Sequence, residues 1–286
     1  MSEKNSFQSP NTSLEISGGF GNQLFQLAAA EYLRSQGLRV YLDFSINQRN
    51  GVRDNLIGNI AIKLNFPIYE LNGLQLFFRK IPVLRRALIM SKRVHLIKED
   101  AEFLEPPVII TDKKIVYRGY WQNSKSAAHI KDLISNHFQI NKYDFIPRIA
   151  LHVRRGDYLI NGNPNFHGVL SGEYYADAVR SVRDEIGNLP VVIFTDSPEL
   201  VAREKWVTDL TDHTFADSQN VLEDFTGIAN SRAIVCSNST FSWWAAFTSK
   251  SETVVLPSKW QVGLSIPEGL KQENSKIVKA SFVGQD

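Results

Sequence analysis

Residues 150–158 read ALHVRRGDY, an apolar run that ends in a histidine, two arginines and an aspartate. Strand alternation puts His152 and Arg154 on one face, and open α/β sheets bind ligands at the carboxyl ends of their strands. Arg154 and Arg155 offer planar, permanently charged donors that suit phosphate oxygens. The segment predicts an anion-binding strand end, although a structural salt bridge and an adhesion tripeptide at residues 155–157 also fit these residues.

A second anion-binding element is predicted at residues 237–244, SNSTFSWW, where the apolar strand AIVCS ends and a helix opens. Backbone N–H groups at a helix start attract anions, and nearby hydroxyl and amide groups add donors. N-capping alone would need only one such side chain. Asp224, at the start of the preceding helix, is either that helix's N-terminal charge or a group that reads the N–H edge of a purine. The candidate ligand-binding residues of the element are Asn238, Ser239, Thr240 and Ser242.

A glycine-rich turn, SGGFGNQ at residues 17–23, is the third candidate, because glycine permits positive φ and close backbone approach. The turn lacks the G-x-G-x-x-G spacing, and the sequence has no G-x-x-x-x-G-K-S/T loop, which disfavours dehydrogenases, kinases and NTPases. HExxH, CxxC and D-x-D motifs are also absent from the sequence, which predicts no metal. Arginine and backbone dipoles would then neutralise a phosphate leaving group. The turn contributes Gly19, Gly21, Asn22 and Gln23 as candidates.

These residues require elements that bring strand ends together. Strands alternate with helices in two stretches of the chain, which predicts an α/β protein with two parallel sheets. A polar stretch with a proline at residues 142–147 marks the boundary between them. The predicted organisation is a disordered leader over 1–13, a first domain over 14–145 and a second over 146–286.

Composition excludes several classes of protein. The 286 residues carry 32 lysines and arginines against 30 acidic residues, a balance unlike that of a general nucleic-acid binder. The single cysteine, the polar first residues and the lack of a bilayer-length apolar run predict a cytoplasmic protein, which also disfavours the adhesion reading. Residues 79–98 are strongly basic. They predict either peripheral contact with anionic inner-membrane lipid or an anionic acceptor, or a solvated helix face.

Four motifs in order, GGFGNQLFQ, HVRRGDY, HGVLSGEYY and NSTFSWWAAF, resemble the bacterial α-1,2-fucosyltransferases of glycosyltransferase family 11 over about residues 15–260. The resemblance implies a GT-B fold, with two Rossmann-like domains facing each other across a cleft. It implies GDP-β-L-fucose as donor substrate, inversion, and neither metal nor other cofactor. By the same resemblance Arg154 lies at the donor diphosphate with Ser239 and Thr240 nearby, His152 and Asp224 hold the guanosine, and Asn22 faces fucose and acceptor.

The predicted reaction is transfer of fucose to O2 of a terminal β-galactoside, in a surface glycan or its lipid-linked precursor. The first domain would take the acceptor and the second GDP-fucose. Asp157 is the candidate general base, with His167 and Glu173 in reserve, unless phosphate itself takes the proton. Asp196 joins the candidate substrate-binding residues. The alternatives are a non-catalytic GDP-sugar-binding or glycan-binding protein of this fold and a protein O-fucosyltransferase.

Overall fold

The computed structural model describes residues 12–45, 56–69, 94–99, 104–140, 142, 144–159 and 164–284. The chain divides into two compact units, Met1–Ile130 and Lys131–Asp286. Within the described residues each unit is built on a parallel sheet with helices. This is the two-part α/β architecture of the GT-B-like class that the sequence predicts.

Unit 1 contains a five-stranded sheet in the order β3-β2-β1-β5-β4, with every described pairing parallel. The strand order reverses between β1 and β5, so the carboxyl ends of these two strands flank the crevice where open sheets bind ligands. The strands are β1 Thr12–Glu15, β2 Val40–Asp43, β3 Ile68–Tyr69, β4 Val94–Lys98 and β5 Lys114–Arg118. The helices are α1 Phe20–Ser35, α2 Gly58–Lys63 and α3 Ser124–Ala128.

Unit 2 contains a six-stranded parallel sheet in the order β8-β7-β6-β9-β10-β13. Counted along the unit this is the Rossmann order 3-2-1-4-5-6, which reverses between β6 and β9. Its strands are β6 Ile146–Val153, β7 Val191–Thr195, β8 His213–Phe215, β9 Ser231–Val235, β10 Thr253–Pro257 and β13 Ser275–Val278, beside the antiparallel pair β11 Lys259–Gln261 and β12 Leu264–Ser265.

The helices of unit 2 cover both faces of this sheet. Ile149, Leu151 and Val153 of β6 lie in one buried cluster with Tyr175 and Val179 of α6, so the odd-numbered side chains face the core as alternation predicts. On the other face, Arg148 donates to the Gly227 carbonyl of α9 and the His152 ring lies near Phe241 of α10. The helices are α4 Lys131–His137, α5 Pro164–His167, α6 Gly172–Ile186, α7 Pro198–Val201, α8 Lys205–Thr208, α9 Val221–Ala229 and α10 Thr240–Thr248.

Two features of the chain's organisation differ from the sequence prediction. Thr12 and Ser13 are buried residues of β1, so the predicted leader over 1–13 includes the first two residues of a strand; residues 1–11 lie outside the described residues. The two units divide between α3 and α4, whereas the sequence predicts the boundary at residues 142–147. α4 packs within unit 2, where the Ser135 hydroxyl donates to the Thr248 carbonyl at 3.0 Å.

The basic stretch 79–98 lies mostly outside the described residues. Its described part, residues 94–98, is strand β4, which pairs in parallel with β5. This part is therefore sheet and not a helix face, because its backbone pairs with a neighbouring strand. Among the described helices, none is both long and apolar enough to cross a bilayer.

Candidate functional site

The carboxyl ends of β6 and β9 meet at the point where the strand order of unit 2 reverses. His152, the penultimate residue of β6, is joined there to Ser237, two residues beyond β9, by a 2.8 Å hydrogen bond between Nδ1 and Oγ. The His152 ring also lies 5.5 Å from the ring of Phe241 in α10. The two strand ends that the sequence predicts to bind an anion therefore contribute to one crevice.

His152 is held in its neutral form. It is 4% exposed, and burial, together with the positive charge of Arg154, lowers its pKa to about 3. A neutral imidazole donates one N–H and accepts at the other nitrogen. His152 can therefore fix the position of a neighbouring polar group without adding charge to the crevice.

Arg154 follows β6 immediately and is anchored from the next strand. Its Nη1 lies 2.9 Å from Oδ2 of Asp196, which follows β7, and a quarter of each side chain is exposed. The second oxygen of Asp196 accepts the backbone N–H groups of Arg155 and Gly156 at 3.0 and 3.1 Å. Gly156 is required for this turn, since a Cβ there would lie 2.4 Å from Oδ2 of Asp196. Asp196 thus orients the Arg154 guanidinium and shapes the turn that carries it.

The N-terminus of α10 opens beside these residues. Ser239 is its N-cap, and its hydroxyl oxygen accepts the backbone N–H of Phe241 at 3.3 Å. Thr240 begins the helix and is partly exposed, whereas Ser239 is 7% exposed. The first-turn N–H groups and the positive end of the helix dipole favour an anion at this position.

Asp224 is not the N-cap of its helix. Asn220 caps α9, because its side-chain oxygen accepts the N–H groups of Leu222 and Glu223 at 3.0 and 3.1 Å. Asp224 instead accepts a hydrogen bond from the hydroxyl of Ser218. Burial raises the pKa of Asp224, although the Ser218 hydrogen bond acts in the opposite direction. The sequence predicts two possible roles for Asp224, an N-terminal charge of α9 or a reader of the base. Asn220 already supplies the capping interaction at this N-terminus.

Arg155 has the contacts of a structural residue, not of a substrate-binding one. It is 3% exposed, and its Nε and Nη2 donate to the two oxygens of Glu204 at 2.7 and 2.8 Å. Its guanidinium lies 5.4 Å from the Tyr175 ring centroid, and Trp206 also donates to Glu204. Burial opposes the charge, but the Glu204 hydrogen bonds outweigh it and raise the pKa of Arg155. Strand alternation turns Arg155 into the core while Arg154 faces the crevice.

Two further candidates are also structural. The side-chain nitrogen of Asn238 donates to the backbone carbonyls of His167, Gly168 and Trp260 at 2.8 to 3.2 Å, so Asn238 ties the loop 167–168 to β11. Ser242 is fully buried and donates to the Ser239 carbonyl at 3.3 Å. Both side chains stabilise the segment around α10, because Asn238 Nδ2 and the Ser242 hydroxyl donate to backbone carbonyls.

Three residues are candidates for the general base. Asp157 belongs to the 3₁₀ turn Gly156–Leu159 directly after Arg155, but its side chain lies outside the described part of the structure. His167 ends α5 with its ring 4.9 Å from that of Phe166. Glu173 is exposed in the first turn of α6. The assignment of a base remains a prediction.

The glycine turn of unit 1 lies at the point where that sheet's strand order reverses. Asn22, in the first turn of α1, accepts a hydrogen bond at Oδ1 from Nε2 of Gln122, which follows β5, at 3.2 Å. Gln23 is fully buried, and its carboxamide donates to the Gly18 carbonyl and accepts the Leu56 N–H, so it holds the backbone rather than a substrate. Gly19 precedes α1 with extended backbone, and Gly21 is buried in its first turn.

Sequence reasoning missed three residues at these crevices. Ser237 bonds His152, Gln122 bonds Asn22, and Glu99 accepts the backbone N–H groups of Tyr120 and Gln122. Ser237 stands in the SNST run and could have been found there. Gln122 and Glu99 follow β5 and β4, and only the sheet order shows that these strand ends adjoin the glycine turn.

The family comparison agrees with this arrangement. The model of the family described as glycosyl transferase family 11 matches residues 89–262, which include β6, β9 and the start of α10. The chain belongs to glycosyl transferase family 11. The family part of the predicted resemblance is therefore confirmed, and the match supports a glycosyltransferase.

Relatives of this family member carry related names. The chain is 27% identical to the O-antigen biosynthesis glycosyltransferase WbnK of Escherichia coli, with 87% of this chain and 94% of that protein covered. It is 22% identical to an alpha-1,2-colitosyltransferase of Escherichia coli, with 86% and 90% covered. A solved α-1,6-fucosyltransferase, NodZ co-crystallised with GDP, is similar at 12% identity and a TM-score of 0.46, with 84% of this chain and 93% of that chain covered.

Proposed function

We propose that this protein transfers L-fucose from GDP-β-L-fucose to O2 of a terminal β-galactoside and inverts the anomeric configuration. The observation that carries the proposal is the crevice between β6 and β9. Three features line this crevice: the anchored guanidinium of Arg154, the neutral His152 and the N-terminus of α10. Together they suit a nucleoside diphosphate whose charge increases during the reaction.

In the proposed reaction the bond between fucose C1 and the β-phosphate oxygen breaks as the galactose O2 forms its bond to C1 from the opposite face. The electron pair stays on GDP, so negative charge develops on the β-phosphate. Arg154 and the first-turn N–H groups of α10 stabilise that charge without rearrangement, because Asp196 already holds the guanidinium. The proton of the galactose hydroxyl passes to a carboxylate, for which Asp157 is our candidate, or to the departing phosphate.

The nucleotide base is assigned by the chemistry of Asp224. A half-buried carboxylate at the start of α9, already bonded to the Ser218 hydroxyl, suits the N1–H and N2–H donors of guanine. Adenine presents a ring acceptor where guanine presents N1–H, so a carboxylate here favours GDP over ADP. Asn22 enters by the family resemblance, as the residue of unit 1 that faces fucose and acceptor.

The acceptor class is proposed from the relatives' names. WbnK is named for O-antigen biosynthesis, which supports a surface glycan or its lipid-linked precursor as acceptor. With an acceptor of that kind, our proposal puts the reaction at the cytoplasmic face of the inner membrane, where the basic residues 79–98 would meet anionic lipid. The colitosyltransferase supports the α-1,2 linkage.

The same relative supports a second candidate donor. Colitose is L-fucose without its 3-hydroxyl, so the diphosphate and base contacts proposed here would serve GDP-colitose equally well. The two donors differ at one sugar oxygen. Selection between them rests on a hydrogen bond to that 3-hydroxyl, which a fucose-specific site makes and a colitose-specific site does not.

The test is a donor and acceptor panel. Purified protein is incubated with lactose or other β-galactosides and, in parallel, with GDP-fucose, GDP-colitose or GDP-mannose, while GDP release is measured and the product linkage is determined by NMR. An α-1,2-fucosylated galactoside is the expected product, and Arg154→Ala serves as the inactive control. GDP release without a fucosylated galactoside as product, or a preference for GDP-mannose, would refute the fucosyl assignment.

A further inference from the structure

Asn22 is held by a residue that follows a neighbouring strand of unit 1. β1 leads into the turn and helix that carry Asn22, and β5 leads into the segment that carries Gln122. These strands are neighbours at the point where the sheet order reverses, so the 3.2 Å bond from Gln122 Nε2 to Asn22 Oδ1 spans the crevice. Gln122 is 6% exposed, whereas Asn22 is partly exposed. The more buried partner therefore fixes the more accessible one.

Glu99, directly after β4, holds the segment that carries Gln122. Its Oε2 accepts the Tyr120 N–H at 2.6 Å and its Oε1 accepts the Gln122 N–H at 3.1 Å. On the other side of the segment, Gln26 of α1 donates from Nε2 to the Gly119 carbonyl at 2.8 Å. Glu99 and Gln26 thus hold three of the four residues between Gly119 and Gln122.

The backbone of this segment is strained, as expected of a conformation imposed by its surroundings. Trp121 has φ 55° and is 2% exposed, a left-handed conformation that bulky residues rarely adopt. Gly119 has φ 154°, and a Cβ there would lie 2.3 Å from Cβ of Glu99. Such strain persists only where other contacts over-determine it, and it is concentrated at functional sites.

The contact with Gln122 determines the orientation of the Asn22 carboxamide. Because its oxygen accepts from Gln122, its nitrogen lies on the side of Gly18, where a Cβ would be 2.9 Å from Asn22 Nδ2. Gly18 has φ 80° and so needs to be glycine for both reasons. The chain therefore specifies which end of the Asn22 amide faces which way.

We propose that Gln122 is a positioning residue for Asn22 in glycosyl transfer, and that Glu99 acts by holding the segment that carries Gln122. The inference rests on the proposed function, since it takes Asn22 to act on the transferred sugar or its acceptor. Orientation matters because a misplaced group near the reacting atoms lowers turnover without abolishing binding.

The decisive variant is Gln122→Glu. A carboxylate of the same shape only accepts hydrogen bonds, so Asn22 must turn its N–H₂ toward residue 122, and the carboxamide is reversed. We expect kcat to fall by about 10–100-fold, while the Kd for GDP, which binds in unit 2, stays within twofold. The matched control is Asn123→Asp, the same amide-to-carboxylate change one residue later. Asn123 caps α3 by accepting two backbone N–H groups, and aspartate caps equally well, so kcat should be unchanged.

A double-mutant cycle separates positioning from a structural role. Gln122→Ala should lower kcat in the wild-type background and have no further effect in Asn22→Ala, with thermal unfolding recorded for each variant. Near-normal kcat in Gln122→Glu overturns the proposal, as does a Gln122→Ala effect that multiplies fully with that of Asn22→Ala. A Gln122→Glu protein that does not fold leaves the Ala cycle to decide. If wild type transfers no fucose, the proposed function fails; if wild type is active but insensitive to residue 122, only this inference fails.

Discussion

Arg154→Lys is the substitution that tests the mechanism most directly. Arg154 touches Asp196 through one guanidinium nitrogen at 2.9 Å, and a quarter of its side chain is exposed at the carboxyl end of β6. A guanidinium has other nitrogens with which to meet a phosphate while that contact is kept. An ammonium has a single nitrogen, so a lysine that pairs with Asp196 loses the planar, two-directional geometry.

The expected loss equals that of one preorganised charged donor. Removing such a donor typically lowers turnover by about 10²–10³-fold, or about 2.7–4 kcal/mol of transition-state stabilisation. Charge is conserved and the site is partly exposed, so thermal stability should change little. GDP release with lactose as acceptor gives the turnover, and thermal unfolding monitors the fold.

Arg155→Lys is the matched control, because the structure gives the adjacent arginine a different role. Arg155 is 3% exposed and binds Glu204 through two nitrogens. Loss of one charged hydrogen bond should reduce stability by about 1.5–3 kcal/mol, or roughly 3–12 °C in melting temperature, with turnover per folded molecule close to normal. The reasoning is refuted if Arg154→Lys keeps near-normal turnover while folded Arg155→Lys is inactive.

Three other predictions concern metal, base and pH. Excess EDTA should leave turnover unchanged, since in the proposed reaction Arg154 and α10 neutralise the diphosphate without a metal; loss of turnover that Mn²⁺ or Mg²⁺ restores would contradict this. Asp224→Asn should weaken GDP binding by roughly 1.5–3 kcal/mol in calorimetry, whereas Glu223→Gln in the same turn should not; equal affinities would remove Asp224 from the base site. The pKa of His152 in the folded protein is about 3, below its usual 6.5. The free energy of unfolding should therefore fall as the pH drops below 6.5, by about 2 kcal/mol at pH 5. Urea unfolding should show a shallower fall in His152→Asn.

The alternation of side chains along β6 shows how much a local sequence pattern can predict. Period-2 spacing alone placed Ile149, Leu151 and Val153 in the core and His152 with Arg154 on the opposite face, and the structure agrees. The same rule, applied to Arg155, implied only that it points away from Arg154. Its partner Glu204 is 49 residues distant. The type of a residue and its spacing therefore predicted direction, while its role depended on a contact remote in sequence.

The capping and buried polar residues show the same limit. Asn238 and Ser242 lie in a hydroxyl-rich helix start that suits an anion, yet Asn238 Nδ2 and the Ser242 hydroxyl donate to backbone carbonyls. The sequence alone could not show which of these side chains bind a ligand and which bind the backbone, because both uses favour the same residue types. Ser239 and Thr240 lie at the start of α10, where Ser239 caps the helix by accepting the Phe241 N–H.

The sequence by itself determined the α/β class, the positions of the central strands and the motifs of family 11, since these depend on periodicity and on short local patterns. Tertiary structure alone decided which strand ends are neighbours. Only the sheet orders bring Ser237 to His152, Asp196 to Arg154 and Gln122 to Asn22. Such contacts join residues between 42 and 100 positions apart, and they arise from strand order, which no local preference of the chain encodes.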